Sequence, residues 1–146
     1  MKYFTGIHMT EEQENKLFEK YPKIFKQKDL DLRQTAMCWG ISCGAGWYNI
    51  IDELCANIQW HVDQEKLPQV EATQVKEKFG GLRFYTNHED DYIRGLIAMA
   101  ESLSMKTCES CGNPGKQNND GWIITLCEPC RENEYRRWKE QGIKKP

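Results

Sequence analysis

Two Cys-x2-Cys pairs, Cys108 with Cys111 and Cys127 with Cys130, are separated by 15 residues, and no other feature limits the folding of this chain as strongly. Two residues between thiolates let both sulfurs reach one metal across a tight turn, and this spacing is that of four-cysteine zinc sites. Gly112 and Gly115 allow the chain to fold around the first pair, Asn119-Asp120-Gly121 supplies a hairpin turn, and Trp122-Ile123-Ile124-Thr125 reads as the return strand. After Cys130 the chain is strongly helical (RENEYRRWKEQ), which places the second pair at a first helical turn, where amide N–H groups favour thiolate charge. Knuckle, hairpin and ligand-bearing helix make a treble-clef arrangement, with a plain zinc ribbon as the near alternative. Four protein thiolates close the coordination sphere, so the expectation is one structural Zn2+. Even pairing around a hairpin favours zinc over an iron–sulfur cluster.

The rest of the chain explains why a metal would matter. Ile, Leu, Val and Phe together make up 28 of 146 residues, a thin aliphatic supply for a core. A net charge of −2 and an aromatic content of 11% argue against disorder all the same. The length suits an α+β body over residues 1–106 with a zinc module over 107–146 packed on it, or the two as one continuous domain. No run approaches the roughly 20 apolar residues that a membrane span needs. The start, MKYFTGIHMTEEQ, has no apolar stretch of secretory type, so the expected location is the cytoplasm, where disulfides are rare. Charge is spread evenly, with no basic arm of the kind that drives nucleic-acid affinity.

Local patterns define the elements of the body. Thr10 with Gln13 reads as a capping box for a helix carrying Leu17, Phe18 and Tyr21, which Pro22 stops. The segment MCWGISCGAGWY, with three glycines, implies a close-packed backbone. Trp47, Ile50, Ile51, Leu54, Ile58 and Val62 recur at helical spacing across 47–62. Residues 70–86 read as strand, with Gly80-Gly81 as a hairpin turn or bulge. Asn87 is the expected N-cap of a following helix with Glu89, Asp90 and Asp91 in its first turn and a stripe of Ile93, Leu96, Ile97, Ala100 and Leu103.

Other chemistry-bearing groups have plainer readings. Cys38, Cys43 and Cys55 with His61 have poor knuckle spacing and are expected to be core thiols. The acidic run at 89–91 is accounted for by a helix terminus. Lys76, Lys78 and Arg83 near Gly80-Gly81 match no phosphate-loop pattern. Nucleases of the HNH type need histidines in such a cysteine frame, and residues 108–130 contain none. Trp39, Trp47, Tyr48, Trp60, Tyr85, Trp122 and Trp138 are expected to be mostly core, although an aromatic content of 11% leaves room for an exposed aromatic anchor among them.

Three stretches, MCWGISCGAGWYNIIDELC (37–55), QVKEKFGGLRFYT (74–86) with the following IRGLIAMAES, and TCESCGNPG…GWIITLCEPC (107–130), resemble a group of small proteins encoded by bacteriophages and prophages. The resemblance implies a phage accessory protein acting in bacterial cytoplasm, and such proteins often bind and inhibit a host defence or housekeeping protein.

The expected fold is therefore α+β, with helices packed on a short antiparallel sheet and a C-terminal four-cysteine module. The expected function is that of a non-enzymatic protein that binds a host protein. The alternative is nucleic-acid binding through Arg131, Arg136, Arg137 and Lys139 of the last helix, joined by Lys76, Lys78 and Arg83.

Overall fold

The computed structural model describes residues 7–142. In chain order these form α1 (Glu11–Lys20), β1 (Ile41–Ser42), α2 (Tyr48–Gln64), β2 (Ala72–Lys78), β3 (Gly81–Thr86), α3 (Asp91–Ser104), β4 (Lys116–Gln117), β5 (Thr125–Leu126) and α4 (Glu128–Glu140). Short 3-10 turns occupy Lys26–Asp29, Ala36–Trp39 and Ala45–Trp47. The architecture is α+β, and none of the described helices is long and apolar enough to cross a membrane. The opening stretch read for a leader includes residues 1–6, which lie outside the described residues.

Helix α1 begins as its capping residues require. The Thr10 side chain accepts from the Gln13 amide while the Gln13 side chain accepts from the Thr10 amide, and the helix ends at Tyr21, directly before Pro22. Helix α2 turns Ile51, Leu54, Cys55, Ile58 and Val62 inward, and α3 does the same with Ile93, Ile97 and Ala100. They pack on the β2–β3 hairpin, whose inner face contributes Val75, Leu82 and Phe84. Helix α3 also covers the outer edge of β3: Ser104 Oγ accepts from the Leu82 amide at 2.8 Å and Glu101 Oε1 from the Phe84 amide at 3.2 Å. These bonds occupy amides that would otherwise be open to edge-to-edge pairing.

Four details depart from the sequence expectations. The sheet is mixed, because β1 pairs parallel to β2 through Ile41↔Val75 and Ser42↔Lys76. The hairpin turns on Phe79-Gly80 rather than Gly80-Gly81, since Lys78 and Gly81 are still paired across the ladder. Both turn residues have positive φ, 53° and 77°, as a two-residue turn matched to strand twist demands. Helix α3 is capped by Asp90, whose side chain accepts from the Ile93 amide, and not by Asn87. Asn87 instead accepts from the Glu71 amide at 2.8 Å, fastening the chain just after β3 to the start of β2. The aromatic expectation also needs correction. Trp47 and Trp138 are buried, but Trp39, Trp60, Tyr85 and Trp122 are exposed, because the interior is filled instead by Ile24, Phe25, Met37, Ile51, Ile58 and similar residues.

A second apolar cluster, formed by Ile7, Cys108, Ile124, Leu126 and Trp138, lies beneath the four-cysteine region.

Candidate metal centre

The four Sγ atoms of Cys108, Cys111, Cys127 and Cys130 all lie within 4.8 Å of one another, with Cys111 and Cys127 at 3.6 Å. Tetrahedral ligation at a metal–sulfur distance of about 2.3 Å places sulfurs about 3.8 Å apart, so the donor set fits one ion. None of the four is in a disulfide. Among the described residues this is the one group of three or more metal-ligating side chains brought together.

Each ligand is held by its element. The knuckle at 108–111 closes through Gly112 N–H to Cys108 O (2.9 Å) and Cys108 N–H to Asn113 O (2.7 Å), with Gly112 at φ 84°. Strands β4 and β5 pair antiparallel, and the loop between them is organised by Asn118. Its amide nitrogen donates to Trp122 O at 2.8 Å and its oxygen accepts from the Ile124 amide at 2.7 Å. The expected strand at Trp122–Thr125 is therefore mostly loop, and only Thr125 and Leu126 are paired. Cys127 is the N-cap of α4 and Cys130 lies in its first turn, as the sequence implied.

The electrostatics prepare Cys108 for thiolate chemistry. Burial pushes its thiol up, but amide hydrogen bonds from Cys127, Cys111 and Ser110 outweigh burial and draw it down to about 7. Burial and then the neighbouring sulfurs push Cys130 up to about 12. Four thiols therefore resist full ionisation together unless a cation compensates them, since a coordinating metal deprotonates a thiol outright.

The centre is anchored to the body at one point that sequence reasoning missed. Glu109, between the first two cysteines, is 1% exposed. Its Oε2 accepts from the Gly44 amide at 2.9 Å, and its backbone oxygen accepts from the Gly46 amide at 2.8 Å. Trp47 Nε1 donates to Thr107 O at 2.9 Å. The glycine-rich segment signalled close packing correctly, but nothing in the sequence named its partner. Burial pushes the Glu109 carboxyl up to about 8, only partly opposed by the Gly44 amide. The tip of the β2–β3 hairpin makes a second junction: Thr125 Oγ1 donates to Gly80 O and Gln117 Nε2 to Phe79 O at 3.2 Å.

The other sequence candidates separate. Cys43 and Cys55 are buried thiols whose ionisation burial opposes, and Cys38 is half-buried. His61 bonds Asp90 at 2.7 Å and stacks on Tyr92, so it joins a helix cap rather than the cysteines. Glu89 and Asp91 pair with Arg94.

Two of the four basic residues of α4 are committed within the fold. Arg131 donates to the carbonyls of Lys116 and Leu126, tying the helix to both strands of the small hairpin. Arg137 pairs with Glu134 one turn back. Arg136 and Lys139 are exposed. Lys76 and Arg83 sit directly opposite each other on the larger hairpin, with Lys78 two residues further along β2.

The exposed apolar side chains were also not foreseen. Exposed Met99 and Leu103 of α3, half-buried Leu96 and Ile50, and buried Leu54 of α2 line a groove of about 340 Å³ between the two helices. The stripe assigned to α3 thus splits: Ile93, Ile97 and Ala100 are interior, while Leu103 is 50% exposed, and Met99, which lies outside that stripe, is 62% exposed. No family model, curated protein or solved structure matches this chain.

Proposed function

We propose that this chain is a zinc-stabilised, non-catalytic protein that docks on another protein of the cell in which it is made. The groove between α2 and α3 carries this reading. Contiguous exposed apolar side chains on a small polar protein are the usual sign of a protein-contact surface. The proposed occupant is an amphipathic helix of the partner, because a trough between two helices receives apolar anchors at successive turns. Glu53 lines the groove together with Asn49 and Asn57, which suits a helix with a basic flank. Burying a side chain such as Met99 or Leu103 contributes about 1.5–3 kcal/mol. The resemblance to phage-encoded proteins fits a bacterial host protein as the partner.

Zinc is the metal that best suits the donor set, four thiolates in two pairs with no open position. Its contribution when bound is structural. It holds the knuckle, the small hairpin and α4 together over an apolar cluster too small to be stable alone.

The test is affinity capture from bacterial lysate, followed by binding measurements with the purified captured protein. Met99→Glu with Leu103→Glu is expected to weaken that binding at least tenfold while the melting temperature stays within a few degrees. Unchanged binding by this variant would remove the groove from the account. Metal content of the purified chain is expected to be one zinc per chain, whereas iron with visible charge-transfer absorption would replace zinc by an iron–sulfur cluster.

A further inference from the structure

We infer that the open face of the β2–β3 hairpin is a binding site for single-stranded nucleic acid, with Lys76, Lys78 and Arg83 on the phosphates and Tyr85 and Phe79 beneath bases. The surface is separate from the α2–α3 groove and does not depend on it.

The register makes the site. Gln74↔Tyr85 and Lys76↔Arg83 are direct cross-strand partners, and Val75↔Phe84 and Glu77↔Leu82 alternate with them. Val75, Leu82 and Phe84 enter the core, so the opposite face carries Gln74, Lys76, Lys78, Arg83 and Tyr85, none of them acidic. The acid of the hairpin, Glu77, shares the core-side alternation and accepts from the Gly80 amide at 2.8 Å. A chain with a net charge of −2 thus gathers three cations on one small face.

Glu77 attracts both Lys76 and Arg83, Arg83 Nη1 donates to Leu82 O at 3.0 Å, and the turn itself asks for positive φ at Phe79. None of these calls for two facing cations or for an exposed ring at the tip. Like charges directly opposite on antiparallel strands are destabilising. At the tip, Phe79 adopts φ 53° and is 67% exposed. A left-handed non-glycine residue costs roughly 1 kcal/mol or more, and an aromatic ring in water at that position returns nothing to the core. Both features are accounted for by a ligand that is anionic and offers flat apolar faces. Lys76 Nζ lies 5.9 Å from the Tyr85 ring centre and Lys78 Nζ 5.5 Å from that of Phe79, so each ring is already accompanied by a cation. Cations that track a backbone, interleaved with rings on which bases stack, are the two components of single-strand recognition. Tyr85 lies four residues along β3 from Gly81, about 13 Å at 3.3 Å per residue, which leaves room for a short run of nucleotides between the two rings. Paired bases have no free face to offer these rings, so duplex is the poorer ligand.

The experiment is fluorescence anisotropy with a labelled single-stranded oligonucleotide and, separately, a duplex of equal length, each titrated with the full zinc-loaded chain at several salt concentrations. Lys76→Glu puts an acid opposite Arg83. It is expected to weaken single-strand binding at least tenfold and flatten its salt dependence, while raising the melting temperature because a repulsive pair becomes an attractive one. Phe79→Gly is expected to weaken binding several-fold and also to raise the melting temperature, by relieving the turn. Met99→Glu is expected to leave oligonucleotide binding unchanged. Absence of single-strand binding at low salt would overturn the inference. So would binding that both hairpin variants leave intact, or duplex bound as tightly as the single strand.

Discussion

The Glu109 carboxyl accepts the Gly44 amide at 2.9 Å, and a Cβ added to Gly44 would lie 2.3 Å from the backbone oxygen of that same Glu109. The hydrogen bond and the forbidden volume define one joint. The backbone around Cys43 approaches the cysteine knuckle so closely that only glycine fits, and a buried acid between two metal ligands receives its amide. Metal site and body are therefore built to fold against each other.

Gly46 tests the joint most directly. A Cβ there would stand 2.0 Å from the backbone oxygen of Cys108, a contact that no side-chain rotation relieves. Gly46→Ala is expected to destabilise the protein by about 3 kcal/mol or more, at the severe end for a single methyl group. Chemical denaturation with zinc present would measure it, and a loss below about 1 kcal/mol would refute the close-packed joint.

Replacing Glu109 tests its hydrogen bond to Gly44. Glu109→Ala leaves the Gly44 amide buried without its acceptor, a penalty of about 1–3 kcal/mol. Glu109→Gln retains an acceptor of the same reach and is expected to cost markedly less. Equal losses in the two variants would show that the carboxyl group as a whole, rather than one acceptor oxygen, is what the joint needs.

The metal should be inseparable from the fold of the C-terminal region. Cys108→Ser or Cys130→Ser is expected to abolish stoichiometric zinc and to collapse hydrogen-exchange protection at Ile124, Leu126 and Trp138, which lie under the site. A chelator should do the same to the wild-type chain. Unchanged melting and metal content in either variant would end the structural-metal account.

A pH effect is expected far from the metal. Asp52 accepts from the Tyr21 hydroxyl and lies 2.9 Å from Lys20 Nζ. Burial raises its pKa, but these two partners outweigh burial and hold it below the usual 3.8. A depressed folded-state value gives stability that is present above about pH 4 and lost as the pH falls through the folded value. Because Lys20 is largely exposed, the whole effect is about 1 kcal/mol. Asp52→Asn should show that deficit against wild type at neutral pH and a shrinking one below pH 4. Comparing the two chains at each pH cancels the loss of metal common to both, and a deficit independent of pH would contradict this assignment.

Local grammar made much of this fold legible. The Thr10 capping box, the Pro22 stop, the α2 periodicity and the paired cysteines each act over a few residues, so their consequences could be read from spacing alone. The same holds for Cys127 and Cys130 at the start of α4. Near misses were also local in kind: Asp90 caps α3 because its carboxylate reaches the Ile93 amide, and Phe79 rather than Gly81 turns the hairpin because register fixes which two residues are left over.

What depended on distance along the chain was invisible. Sequence order does not say that Gly44 and Gly46 meet Glu109, or that Arg131 spends its guanidinium on the carbonyls of Lys116 and Leu126. It could not tell that Lys76 faces Arg83 while Glu77 turns away. A helical stripe names the side chains on a face, but only the neighbour's position decides which are covered. Ile97 therefore ends in the core, while Leu103 of the same stripe stays in the open. Sequence by itself determined the four helices, the larger hairpin and the donor set, because capping, periodicity and ligand spacing are short-range. Tertiary structure decided which surfaces remain unpaired, because burial belongs to pairs of elements and to no single segment.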